Sequence, residues 1–234
     1  MAALRGLLAP LPLIAIAAAL LLAPAGFICG VWVWPRAWVM LGAYSVASIT
    51  GSAALVVISP ASFQVRRQGI IAAREKRQPP IDAVGSVFYA AYMAAWFAFI
   101  PLDVLRWRFL RAPPWPVQAA GGLAVIAGVV VSYVAIGQNR FAAPTIHDQS
   151  GEGQRVIDRG LYAIVRHPFY AGMLFVYAGW ALWLGSYAAL LGASVFLVLT
   201  LVRIAIEEAW LRATLPDYAD YARRVRSRLI PYLL

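Results

Sequence analysis

The sequence predicts an all-α, polytopic integral membrane protein of about six helices that ends in a helical hairpin and a polar tail. Two observations carry this reading. Of 234 residues, 62% are hydrophobic and 13% charged, with mean hydropathy +0.73, whereas a soluble domain is roughly half apolar and about a quarter charged. The apolar residues also gather into runs near the roughly 20 residues that a helix needs to cross about 30 Å of hydrocarbon. Helices are the open-ended structures that satisfy every backbone group there.

Four runs are separate: Pro10–Val33, Ala37–Ser59, Val84–Leu105 and Val117–Gly137. A fifth stretch, Tyr170–Ile206, is too long for one span and carries Gly185-Ser186 near its middle, so it reads as a hairpin. Ala23-Pro24-Ala25 loosely resembles a signal-peptide cleavage site. Against that reading, Trp32, Trp34 and Trp38 look like an interfacial aromatic belt between two spans. We expect a retained first span.

The cations set an expected orientation. With a cytoplasmic N-terminus, that side receives Arg5, the five cations of 66–77, and Arg140, Arg155, Arg159 and Arg166. It also receives Arg203, Arg212, Arg223, Arg224, Arg226 and Arg228, while Arg36, Arg106, Arg108 and Arg111 fall opposite: 16 against 4. This is the asymmetry of the positive-inside rule. The group Arg106–Arg111 is discordant, and is expected to snorkel or to pair with Asp103. The net charge of +10 then reflects topology and anionic headgroups. No soluble basic surface with stacking aromatics points to nucleic acid. Cys29 is the sole cysteine, which excludes an intrachain disulfide and a thiolate metal cluster.

Two regions differ in character. Residues 1–137 form four spans whose connections hold little obvious chemistry. The connection Pro60–Ala83 contains Arg74-Glu75-Lys76-Arg77-Gln78, expected as a short amphipathic helix ended by Pro79-Pro80. Residues 138–234 concentrate the unusual polar groups. Their long connection Asn139–Arg166 runs through turn-rich Asp148–Gly153 and Arg155-Val156-Ile157 to Asp158-Arg159-Gly160, and loops of such length are often functional.

Arg166-His167-Pro168-Phe169-Tyr170-Ala171-Gly172 then sets a cation, an imidazole and a phenol at a membrane boundary. Proline suits a first helical turn, and the residue before it is biased away from helix. His167 is therefore expected near the N-cap, beside free backbone N–H groups suited to a carboxylate or phosphate. Arg203 and Glu207 share a helical face, with Glu208 pointing elsewhere. A carboxylate there needs a cation: Arg203, Arg166 or a ligand ammonium. A metal site from His147, His167 and Asp148 or Glu207 has unspecific spacing, and none is assigned. Neither a serine-hydrolase motif nor a phosphate-cradling glycine loop is present. On the residues alone, anchoring and ligand binding both stand open.

The ordered set Gln154-Arg155-Val156-Ile157, Gly160-Leu161-Tyr162, Arg166 through Gly172, and Arg203 with Glu207-Glu208 is similar to the isoprenylcysteine carboxyl methyltransferase family. Leu211, Tyr218, Tyr221 and Leu229-Ile230-Pro231 extend the resemblance, which covers about residues 138–232. The wider group includes phospholipid N-methyltransferases. The resemblance implies S-adenosylmethionine held at the cytoplasmic face by a strand-like Gln154, Arg155, Val156 and Ile157, by Tyr162, and by His167, Pro168, Phe169 and Tyr170. It also implies cofactor contacts from His147, where the family usually has Gln, and from Glu207. Arg203 is implied as the residue that orients the substrate. The expected acceptor is lipidic, with an isoprenylcysteine-type carboxylate leading and a phospholipid amine or small thiol as alternatives. A nicotinamide-dependent sterol-type reductase and a non-enzymatic membrane scaffold are the more distant readings.

Overall fold

The computed structural model describes residues 6–66, 80–141 and 153–233. Helix α1 (Leu11–Ala23) runs on into a π-helical turn, Pro24–Ile28. Helices α2 (Pro35–Ile58) and α3 (Pro80–Leu102) follow, the latter extended by a second π turn, Asp103–Trp107. Then come α4 (Trp115–Gln138), α5 (Pro168–Leu184), α6 (Tyr187–Thr214) and a short α7 (Tyr218–Arg224). The six expected apolar helices are all present, and residues 60–66 are also helical. The expected helix at Arg74–Gln78 lies outside the described residues.

Five segments are long and apolar enough to cross a membrane, and none buries more than 44% of its most apolar window within the protein. The remaining apolar faces are what lipid would cover. Helix α5 is shorter, at 17 residues, or roughly 26 Å. Its start is set by the chain before it, which is hydrogen-bonded into the polar end. The α5–α6 hairpin turns where expected. Gly185 takes the left-handed conformation (φ +95°) that closes α5. Ser186 caps α6 by accepting from the Ala189 N–H at 2.8 Å.

The tightest helix contact joins α4 to α5 through glycines on both. A Cβ on Gly128 would stand 2.5 Å from the Gly172 carbonyl oxygen, and one on Gly179 would stand 2.6 Å from that of Gly121. Small residues let helix backbones approach closely where lipid gives no hydrophobic drive to association. Beside them, Phe196 of α6 stacks on Tyr177 of α5 at 4.1 Å between ring centroids. Tyr89, Tyr92 and Trp96 of α3 pack around Phe196.

Three expectations are corrected at this level. Trp32 and Trp38 are more than half exposed, as a belt requires, but Trp34 is buried in the core. Asp103 does not partner Arg106: it is buried and accepts from Ser186 Oγ at 2.5 Å and the Phe109 N–H at 2.9 Å, while Arg106 donates to the Ile28 carbonyl. A buried carboxylate is satisfied by the donors folded around it, which the exposed arginine cannot reach. Finally, Gln154–Ile157 is an extended loop; the described residues contain no strand.

Candidate functional site

One end of the bundle gathers the polar groups. The chain leaves α4 at Gln138, whose Oε1 accepts from the Leu161 N–H at 2.8 Å and so holds the turn Gly160–Ala163 against the helix end. The following residues pair with the C-terminal tail: the Arg166 N–H donates to the Ser227 carbonyl, and the His167 N–H to that of Arg228. The Tyr221 hydroxyl donates to the Tyr162 carbonyl at 2.8 Å. The tail therefore closes over the segment that starts α5.

The Arg166 side chain continues that closure. Its Nη1 donates to the carbonyls of Val225 and Arg226, each at 2.7 Å. Its Nε donates to Glu208 Oε1 at 2.7 Å, and His167 Nε2 lies 3.2 Å from the same oxygen. Arg212 reaches the other oxygen at 2.9 Å. Arg166, His167 and Glu208 are buried, so this is an internal ion cluster that staples α5, α6 and the tail. His167 is the N-cap residue of α5, as expected, and its own backbone N–H and ring have partners in the tail and in Glu208.

Glu207 faces the other way. Its Oε2 accepts from the Tyr170 hydroxyl at 2.8 Å, and that hydroxyl in turn accepts from Arg203 Nε at 2.9 Å. Arg203 Nη1 also donates to Ser86 of α3 at 3.1 Å. Tyr170 thus bridges the carboxylate and the guanidinium, and fixes both on the wall of a cavity of about 370 Å³. This volume falls within the roughly 300–1,000 Å³ range of small-molecule sites.

Of the residues singled out in the sequence, Gln154, Arg155, Val156, Ile157, Tyr162, His167, Phe169, Tyr170, Arg203 and Glu207 all line this cavity. Pro168 does not. It is fully buried at the start of α5, where its ring packs inward and serves the helix turn. His147 lies outside the described residues. Burial pushes the Tyr162 phenol up to about 12, so it stays neutral at physiological pH. Among the described residues no cluster suited to a metal ion occurs.

Sequence reasoning missed part of the lining. Arg66, Ser86 and Tyr89 come from the region expected to hold little chemistry, and Trp210 from α6. Arg66 stands over the Phe169 ring, 4.6 Å from its centroid. Trp210 Nε1 and the Tyr218 hydroxyl are buried and have no hydrogen-bond partner. Orphaned buried polar atoms are uncommon, and in a cavity wall they point to a missing partner. A tryptophan six residues before a proline stop carries no sequence signal that separates it from an interfacial anchor.

Residues 117–217 match the model of the phospholipid methyltransferase family. That stretch, a little under half of the chain, is thus similar to membrane methyltransferases, a group that also includes the isoprenylcysteine-type proteins. No curated protein matches the chain.

Proposed function

We propose that this protein transfers a methyl group from S-adenosylmethionine to a lipidic acceptor, with an isoprenylcysteine-like carboxylate as the leading acceptor. The observation that carries the proposal is the Arg203–Tyr170–Glu207 bridge on the wall of the cavity. The residues present fit the cofactor. Glu207 supplies an anion for an ammonium, and Tyr162, Phe169, Val156 and Ile157 supply aromatic and apolar surface for a purine. Trp210 Nε1 and the Tyr218 hydroxyl are unpaired polar atoms in the same lining. Bound there, S-adenosylmethionine supplies an electrophilic methyl on a sulfonium.

The chain's own work is then placement and exclusion of water. Arg203, held by Tyr170 and Ser86, orients an acceptor carboxylate, which is already ionised at neutral pH and needs no general base. Residues 138–234 form the donor side, and the lining from α3 and α5 (Tyr89, Met173, Tyr177) offers an apolar path for the acceptor's tail. The arginine distribution supports a cytoplasmic location for this end. A second reading, methylation of a phospholipid amine, is favoured by the family description itself. An amine must lose a proton before attack, and that reading needs a proton acceptor beside the acceptor nitrogen.

Calorimetry of the purified protein with S-adenosylhomocysteine, and separately with NADPH, tests the proposal. We expect binding of the first and none of the second; the reverse result overturns it. Transfer of labelled methyl into membrane extracts then identifies the acceptor, as an ester in the first reading and as a methylated headgroup in the second.

A further inference from the structure

Arg66 belongs to no motif and comes from the short helical segment after α2, yet it reaches the cavity. It is partly buried, and among the described residues no carboxylate pairs with it. Its neighbours are aromatic: the Phe169 ring beneath it, and the phenols of Tyr133, Tyr162 and Tyr170 within electrostatic reach. A guanidinium removed from water with aromatic faces as company is incompletely compensated. Burial accordingly pushes its pKa below the usual arginine value. Among the described residues, the site around Arg66 lacks an anion.

Charge bookkeeping along the wall says where that anion comes from. Among the described residues, Arg66, Arg155, Arg166 and Arg203 line the cavity against a single carboxylate, Glu207. Arg166 is already neutralised by Glu208, and Arg203 shares Tyr170 with Glu207. Arg155 is exposed to water. Arg66 is left. The proposed methyl donor brings a net positive charge, its sulfonium and ammonium outweighing its carboxylate, so the cavity still lacks an anion when the donor is bound. We propose that Arg66 joins Arg203 in binding the anionic group, carboxylate or phosphate, of the lipidic acceptor, so that the N-terminal region adds acceptor recognition to a site whose donor side is C-terminal. The acceptor's name rests on the methyltransferase reading; the need for an anion rests on the cavity.

The test uses the full chain in nanodiscs of zwitterionic lipid. Tryptophan fluorescence follows binding of N-acetyl-S-farnesylcysteine and of its methyl ester, and in parallel of hexadecyl phosphate and hexadecanol. Calorimetry follows S-adenosylhomocysteine. We expect the wild type to prefer the anionic member of at least one pair by about tenfold, the scale of one charge-assisted hydrogen bond. The pair that shows the preference distinguishes carboxylate from phosphate. Arg66→Gln should lower that ratio at least about threefold and leave binding of the neutral member and of S-adenosylhomocysteine unchanged, while Arg66→Lys should keep most of the preference and report on folding. A wild type that shows no preference in either pair overturns the proposal. So does an Arg66→Gln protein that keeps the ratio, or that keeps it and loses S-adenosylhomocysteine affinity, which would assign Arg66 to the donor. Failure of the wild type to bind S-adenosylhomocysteine would break the methyltransferase reading alone, since the anion ratios are measured without cofactor.

Discussion

Glu207 and Glu208 are neighbours in sequence and opposites in the structure. Glu208 is enclosed: Arg166, His167 and Arg212 saturate its oxygens, and it does not line the cavity. Glu207 looks into the cavity, with the Tyr170 hydroxyl as its hydrogen-bond donor. One region holds the polar end together, and the other keeps charge available to a ligand. The comparison teaches that an ionisable residue at a membrane boundary is not in itself a functional sign. What separates the two carboxylates is whether the protein has already satisfied them.

The largest effect should come from Glu208→Gln. It leaves Arg166 and His167 buried without their carboxylate, and breaking a buried pair costs about 3–5 kcal/mol. Thermal unfolding in detergent should show a large loss of stability, and an unchanged midpoint would refute the staple. Glu207→Gln should do the reverse, with a stability change under about 1 kcal/mol but S-adenosylhomocysteine affinity reduced on the order of tenfold to a hundredfold by calorimetry. If the two variants behave alike, the contrast between the regions is lost.

Smaller changes sharpen the same contrast. Arg203→Ala should lower the rate of methyl transfer about a hundredfold and leave cofactor affinity within about threefold, measured as turnover against binding. A parallel fall in both would move Arg203 to the donor side. Tyr221→Phe removes the hydrogen bond to the Tyr162 carbonyl in the cavity wall. It should cost about 1 kcal/mol of stability, read in the unfolding midpoint, with turnover nearly unchanged.

Much of the fold is legible in the sequence because lipid is an undemanding solvent to read. Each span must be long, apolar and helical, and Gly185-Ser186 marks the hairpin by conformational preference and capping. The C-terminal part of the cavity lining is legible too, because its residues lie in ordered local motifs. Arg66 and Tyr89 are not, for they look like a loop cation and an ordinary aromatic until the bundle brings them to the cavity. Nor is the burial of Trp34, since a tryptophan near a span end reads equally well as a belt residue.

The sequence by itself determined that this is a helical membrane protein with its cations biased to one end. Hydropathy, span length and charge asymmetry are properties of the chain and need no contact to act. The tertiary structure alone decided which polar groups are spent and which are free. That follows from the packing of α5 against α4 through glycines and from the tail closing over Arg166. These contacts turn Glu208 inward and Glu207 outward, a difference of one helix position that only the positions of the partners can convert into structure on one side and chemistry on the other.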